Sequence, residues 1–96
     1  MSLLFKKVLE KIKTIENNKI TFGKNYTGID LNTIDKTEVG DFNIYCTNTP
    51  FQGNGGYLIS IVISSSYALQ ITINASNGDN YQRLKTSGTW QSWVKK

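Results

Sequence analysis

The chain contains no histidine, one cysteine, one proline and one methionine in 96 residues. Without histidine it lacks the usual general base, the commonest metal ligand and the side chain that titrates near neutral pH. Most enzyme mechanisms thereby lose their central residue, and no enzymatic activity is expected. Cys46 alone provides neither a disulfide framework nor a zinc cluster within one chain. It reads as a small buried hydrophobe. No apolar run approaches the roughly 20 residues that span a bilayer. Lys6 and Lys7 also interrupt the N-terminal apolar cluster too early for a signal-peptide core. The expectation is a chain without membrane insertion or secretion signal. What is present, 39% apolar and 11% aromatic residues, suits one folded domain with a modest core.

Charge is unevenly placed. Residues 1–24 carry six lysines against Glu10 and Glu16, which accounts for the net charge of +4. In the other 72 residues five basic groups (Lys36, Arg83, Lys85, Lys95, Lys96) cancel five acidic ones (Asp30, Asp35, Glu38, Asp41, Asp79). A nucleic-acid surface interleaves basic groups with aromatics on the folded body. Here the two are segregated, so nucleic acid is not an expected partner.

The hydrophobic period changes near Asn17 and Asn18. Before it, Phe5, Val8, Ile12 and Ile15 are spaced 3, 4, 3, the a/d seam of an amphipathic helix. A helix of about fifteen residues is marginal alone. Its stripe therefore packs on its own domain or forms a short coiled coil between copies. The division is residues 1–18 as an oligomerisation or attachment helix and residues 19–96 as a β-rich domain. In the latter, Lys19–Phe22, Asp41–Cys46, Tyr57–Ser64 and Ala68–Ala75 read as strands. Tyr57, Ile59, Ile61 and Ile63 share one face, and Leu69, Ile71, Ile73 and Ala75 are expected to point inward with Gln70, Thr72 and Asn74 outward. Turn residues at 76–80 and a glycine at Gly88 for a left-handed position complete an antiparallel meander or sandwich. The fold class is mainly β, preceded by one N-terminal helix.

Few constellations carry chemistry. Gln52-Gly53-Asn54-Gly55-Gly56 lacks the Lys-Ser/Thr and the following helix of a phosphate loop. Asp30, Asp35, Glu38 and Asp41 match no calcium-ligand spacing and are better suited to turns. Ser64, Ser65 and Ser66 have no base to activate them. No cofactor or metal site is expected. The tyrosines and the two tryptophans are plates able to stack on sugar rings, although a small core also needs them.

The order of segments adds a resemblance. Asp30-Leu31-Asn32 is followed by Val39-Gly40-Asp41-Phe42, Asn48-Thr49-Pro50, Gly55-Gly56-Tyr57-Leu58-Ile59, Leu69-Gln70-Ile71, Tyr81-Gln82-Arg83 and Ser87-Gly88-Thr89-Trp90-Gln91-Ser92-Trp93. This order, over about residues 29–94, resembles the knob domain of phage tail fibres and R-type pyocin fibres. Members of that family usually sit in chains several times longer, so a fragment or a small accessory fibre protein is implied.

The resemblance implies a small trimeric β-rich knob of a virion tail appendage. It would attach to host-surface glycans or, as an alternative, act as a structural connector contacting other virion proteins. Arg83, Gly88, Trp90 and Trp93 are then fold-defining, with Arg83 pairing with a turn carboxylate or stacking on Trp90. The irregular loop supplies the candidate ligand residues Asn48, Gln52 and Asn54, flanked by Tyr45 and Tyr57. Phe5, Val8, Ile12 and Ile15 supply the candidate trimer seam.

Overall fold

The computed structural model describes residues 20–96 together with Leu4, Lys6 and Lys7. Apart from those three positions the expected N-terminal helix lies outside the described residues, as do its seam positions Phe5, Val8, Ile12 and Ile15.

Among the described residues seven strands form one mixed sheet: β1 (Thr21–Tyr26), β2 (Glu38–Phe42), β3 (Gly56–Val62), β4 (Ala68–Asn74), β5 (Asn80–Thr86), β6 (Thr89–Trp90) and β7 (Val94–Lys95). From β2 to β6 each strand pairs antiparallel with the next, and β7 returns to pair with β5 beyond β6. The meander is therefore observed, with one correction. β1 lies on the edge parallel to β2. Parallel neighbours need a crossover, and residues 27–37 make it with a single 3-10 turn, Leu31–Thr33. This irregular segment covers one face of the sheet where a sandwich would place a second sheet.

The turn chemistry is local. Ser87 (φ 52°) and Gly88 (φ 82°) are consecutive left-handed residues between the paired Thr86 and Thr89, the geometry of a two-residue hairpin. The strand expected at Asp41–Cys46 is displaced: β2 runs Glu38–Phe42 and ends two residues into the expected span. The Asn43 Oδ1 accepts from the backbone N–H groups of Gly28 (3.1 Å) and Tyr45 (3.2 Å), turning the chain after Phe42. Ile44 is thereby exposed, while Cys46 is buried. At the edge, Gly23 (φ 73°) sits in a bulge of β1. It drives the Lys24 carbonyl against Gly40, where any Cβ would overlap it.

The largest departure from expectation is which face is inside. Leu58, Ser60, Ala68, Gln70, Thr72, Asn74 and Arg83 are buried, whereas Ile61, Ile63 and Leu84 are exposed and Ile59, Leu69, Ile71 and Ile73 are only half-buried. Gln70, Thr72 and Asn74 point inward, and Leu69, Ile71 and Ile73 outward, the reverse of the expected assignment.

The reason lies in the covering layer. An irregular segment has carbonyls with no ladder partner, and buried ones need donors. Ser60 Oγ donates to the Lys36 carbonyl (2.9 Å) and Gln70 Nε2 to the Leu31 carbonyl (2.8 Å). The inner face is thus polar where it meets backbone. It is apolar around Leu31, Ile34, Tyr26, Phe42, Cys46 and Leu58, which form the core, with Ile29, Phe51 and Trp93 packed against them.

Candidate functional site

Cross-strand register aligns Glu38, Ser60, Gln70 and Arg83 in one row on the covered face. At one end, the buried Glu38 carboxylate accepts from the Tyr26 hydroxyl at 2.5 Å. Burial, then the hydrogen bond and charge of Glu38, hold the Tyr26 hydroxyl above its ordinary pKa. At the other end, Arg83 is 5% exposed and donates from Nε (2.9 Å) and Nη2 (2.7 Å) to the Gln70 Oε1. Its guanidinium lies 4.3 Å from the Trp90 ring centre and 4.4 Å from that of Trp93. Among the described residues it makes no ion pair, so the expected stacking on Trp90 is present and the carboxylate pairing is replaced by Gln70. Burial pushes the guanidinium down to about 10, opposed by the charge of Asp30, so it remains a cation at neutral pH.

Two tryptophans can flank one guanidinium because the last strand is interrupted. β6 pairs with the Lys85 end of β5 and β7 with the Tyr81 end. Residues 91–93 arch between them and carry Trp93 over the inner face. Its indole N–H then donates to the Asn48 carbonyl at 3.0 Å. Asn48, left-handed at φ 57°, also donates from Nδ2 to the Asp30 Oδ1 at 2.7 Å. The irregular loop is therefore pinned by Trp93 on one side and by the Asp30 cap on the other. Nothing in the sequence links Asp30 to Asn48, 18 positions apart.

The hydrogen bonds from Asn48 and from the Asn32 backbone hold the Asp30 carboxyl below its ordinary pKa. A carboxylate shifted down contributes stability that is complete above the ordinary carboxylate range and is lost as pH falls through the lowered value. Acid unfolding followed by circular dichroism is expected to show a smaller loss below about pH 4 in Asp30→Asn, whose amide oxygen keeps the acceptor, than in the parent chain. Equal losses in the two would show that Asp30 does not couple the loop to pH.

The predicted ligand residues separate. Tyr45, Asn48 and Gln52 line one open depression of about 350 Å³ formed by the loop itself. Tyr57, 55% exposed, lies on the opposite side of β3 and lines a different depression with Asn43 and Gly55. Asn54 lines neither. Among the described residues no cluster of His, Cys, Asp and Glu is placed to hold a metal.

Comparison with solved structures finds a similar fold in the R1 pyocin fibre of P. aeruginosa, comprising its C-terminal residues 323–701, at a TM-score of 0.60 over 79% of the present chain. The two share a fold. Sequence identity is 20%, and the chain covers 21% of the length of the pyocin fibre fragment. No family model and no curated protein matches the chain. The knob-like order of segments read from the sequence is therefore matched by a fold found in a pyocin fibre.

Proposed function

We propose that the chain is a non-enzymatic knob of a phage-type tail fibre or baseplate, located on a virion tail appendage, assembled as a homotrimer and taking part in host-surface attachment. The fold shared with a pyocin fibre carries this reading.

The exposed sheet face supports the assembly. Across strands, Val39, Ile59 and Ile71 form one row and Ile61, Leu69 and Leu84 the next. A contiguous aliphatic surface of this kind is uncommon on a monomer, where patches above a few hundred Å² mark interfaces. Among the facing positions only Asp41 is charged, which suits packing of this face against the other copies around a threefold axis.

Attachment would use the loop depression of Tyr45, Asn48 and Gln52 toward a host-surface glycan. A shallow polar surface binds sugars weakly, so affinity would come from several copies acting together. Gln52→Ala with Tyr45→Ala, both exposed in the loop depression, is expected to leave stability within about 0.5 kcal/mol, as exposed changes do. Adsorption of the multivalent assembly to host cells is expected to fall by about tenfold or more, an avidity effect of three weakened copies. Full adsorption by this variant would remove the loop as receptor site.

The fold shared with a fibre fragment suits a second reading as well, a structural connector without receptor contact. A connector would be retained by another virion protein in a pull-down and would not bind host cells.

A further inference from the structure

The sequence contains two Asn-Gly pairs, Asn54-Gly55 in the irregular loop and Asn77-Gly78 in the turn between β4 and β5. This dipeptide is the least hindered setting for reaction between an asparagine side chain and the next backbone nitrogen, because glycine brings no Cβ to obstruct the approach. Exposure alone ranks Asn77 first, since it is exposed and Asn54 is half-buried. The hydrogen bonds rank the two the other way.

At Asn77 both reacting groups are already held by other partners. The Gly78 N–H donates to the Asn74 carbonyl at 2.8 Å, and the Asn77 Oδ1 accepts from the Asp79 N–H at 2.9 Å. Asn74 closes the turn further, since its N–H donates to the Asp79 carbonyl at 2.9 Å and its Oδ1 accepts from the Ser76 N–H at 2.8 Å. At Asn54 neither group is held. Among the described residues the Gly55 N–H meets no backbone carbonyl, and the Asn54 carboxamide forms no hydrogen bond while still reaching solvent. Only the Gly55 carbonyl, which takes no part in the reaction, is engaged, by the Ala75 N–H at 3.2 Å.

We infer that Asn54 is a site of spontaneous deamidation in the folded protein and that the fold withholds Asn77 from the same reaction. The Gly55 nitrogen gives up its proton to base and attacks the Asn54 Cγ. A C–N bond forms, the bond from Cγ to the side-chain nitrogen breaks, and that nitrogen leaves as ammonia after taking up a proton. Water then opens the resulting succinimide at one of its two carbonyls, which leaves aspartate or isoaspartate, with no electron transferred. At Asn77 the Gly78 N–H must first part from the Asn74 carbonyl, a local opening that lowers the reactive population by about tenfold for one bond of ordinary strength. The inference stands apart from the attachment reading. Its product places a negative charge in the loop that attachment would use.

Ageing the whole chain in mildly alkaline buffer, then digesting it for peptide mass spectrometry, gives a separate rate for each pair. In the folded chain Asn54 is expected to convert about fivefold faster than Asn77 or more, and in denaturant, where the turn's bonds are gone, the two rates are expected to agree within about twofold. Equal rates in the folded chain, a faster Asn77, or a ratio that denaturant leaves unchanged would each overturn the inference. Amide hydrogen exchange reads the same difference without the chemistry. Relative to the denatured chain, the Gly78 N–H is expected to be protected about fivefold more than the Gly55 N–H, and equal protection would remove the stated cause. Asn54→Gln, whose longer side chain disfavours ring closure, is expected to abolish the main acidic variant that ion-exchange chromatography resolves in the aged chain. Persistence of that variant would place the reaction elsewhere and sink the assignment.

Discussion

Arg83→Met is expected to lower unfolding stability by about 3 kcal/mol, most of what a marginal domain of this size can lose and stay folded. Among the described residues the guanidinium has no paired carboxylate, and its desolvation is offset there by two aromatic faces and by the Gln70 oxygen. Methionine keeps much of the packing volume between Trp90 and Trp93 but removes the cation–π attraction, about 0.5–2 kcal/mol per ring. It also leaves Gln70 Oε1 buried without a donor, at about 1–3 kcal/mol. Removing the desolvated charge works in the opposite direction and keeps the total near the stated figure.

Gln70→Leu tested with Arg83→Met separates these contributions. The double variant no longer has the orphaned Gln70 oxygen but removes the 2.8 Å bond from Gln70 Nε2 to the Leu31 carbonyl, which keeps only the longer one (3.4 Å) from the Ile34 N–H. It is therefore expected to be no more stable than Arg83→Met, with the two losses falling short of additivity because the residues share a bond. Denaturant unfolding measures both. A loss under about 1 kcal/mol in Arg83→Met would mean that the tryptophans hold the node without the cation.

Ile71→Asp is expected to convert the assembly to monomers while the monomer stays folded. Ile71 sits between Ile59 and Gln82 in the middle of the open face and is already half-exposed in the single chain. A carboxylate there is well solvated in the monomer. In an assembly that uses this face, every copy would bury one without a partner, which is strongly unfavourable. A rise in the dissociation constant of about a thousandfold, on the order of 4 kcal/mol, is the expected size, read by light scattering against concentration. The comparison with Ile12→Asp locates the seam. Dissociation by Ile12→Asp but not by Ile71→Asp would assign assembly to the N-terminal segment and leave the sheet face unused. Dissociation by Ile71→Asp alone would do the reverse.

Much of the local structure follows from the residues in their order. The β character of residues 20–96, the hairpin at Ser87 and Gly88, the burial of Cys46 and the stacking of Arg83 on Trp90 each depend on chemistry confined to a few neighbouring positions. Backbone freedom at a glycine, alternation along a strand and a cation beside an indole are all visible in a linear text. So is the limit on chemistry that the missing histidine imposes.

Only the tertiary structure decided which way the sheet faces. Alternation places Ile59, Leu69, Ile71 and Ile73 on one side and Ser60, Gln70 and Thr72 on the other, and burial of the aliphatic side is the usual outcome. Here the covering layer is a crossover whose carbonyls at Leu31 and Lys36 have no sheet-ladder partner, so the inner positions went to the donors Gln70 and Ser60. That crossover exists because β1 joins the sheet parallel to β2, a pairing between residues far apart in sequence that no local pattern records. The same arrangement set Asn48 against Asp30, drew Trp93 onto the loop and left the Trp90 N–H at the edge of the covered face. Periodicity determined that there are two faces; the backbone's need for hydrogen-bond partners determined which one is inside.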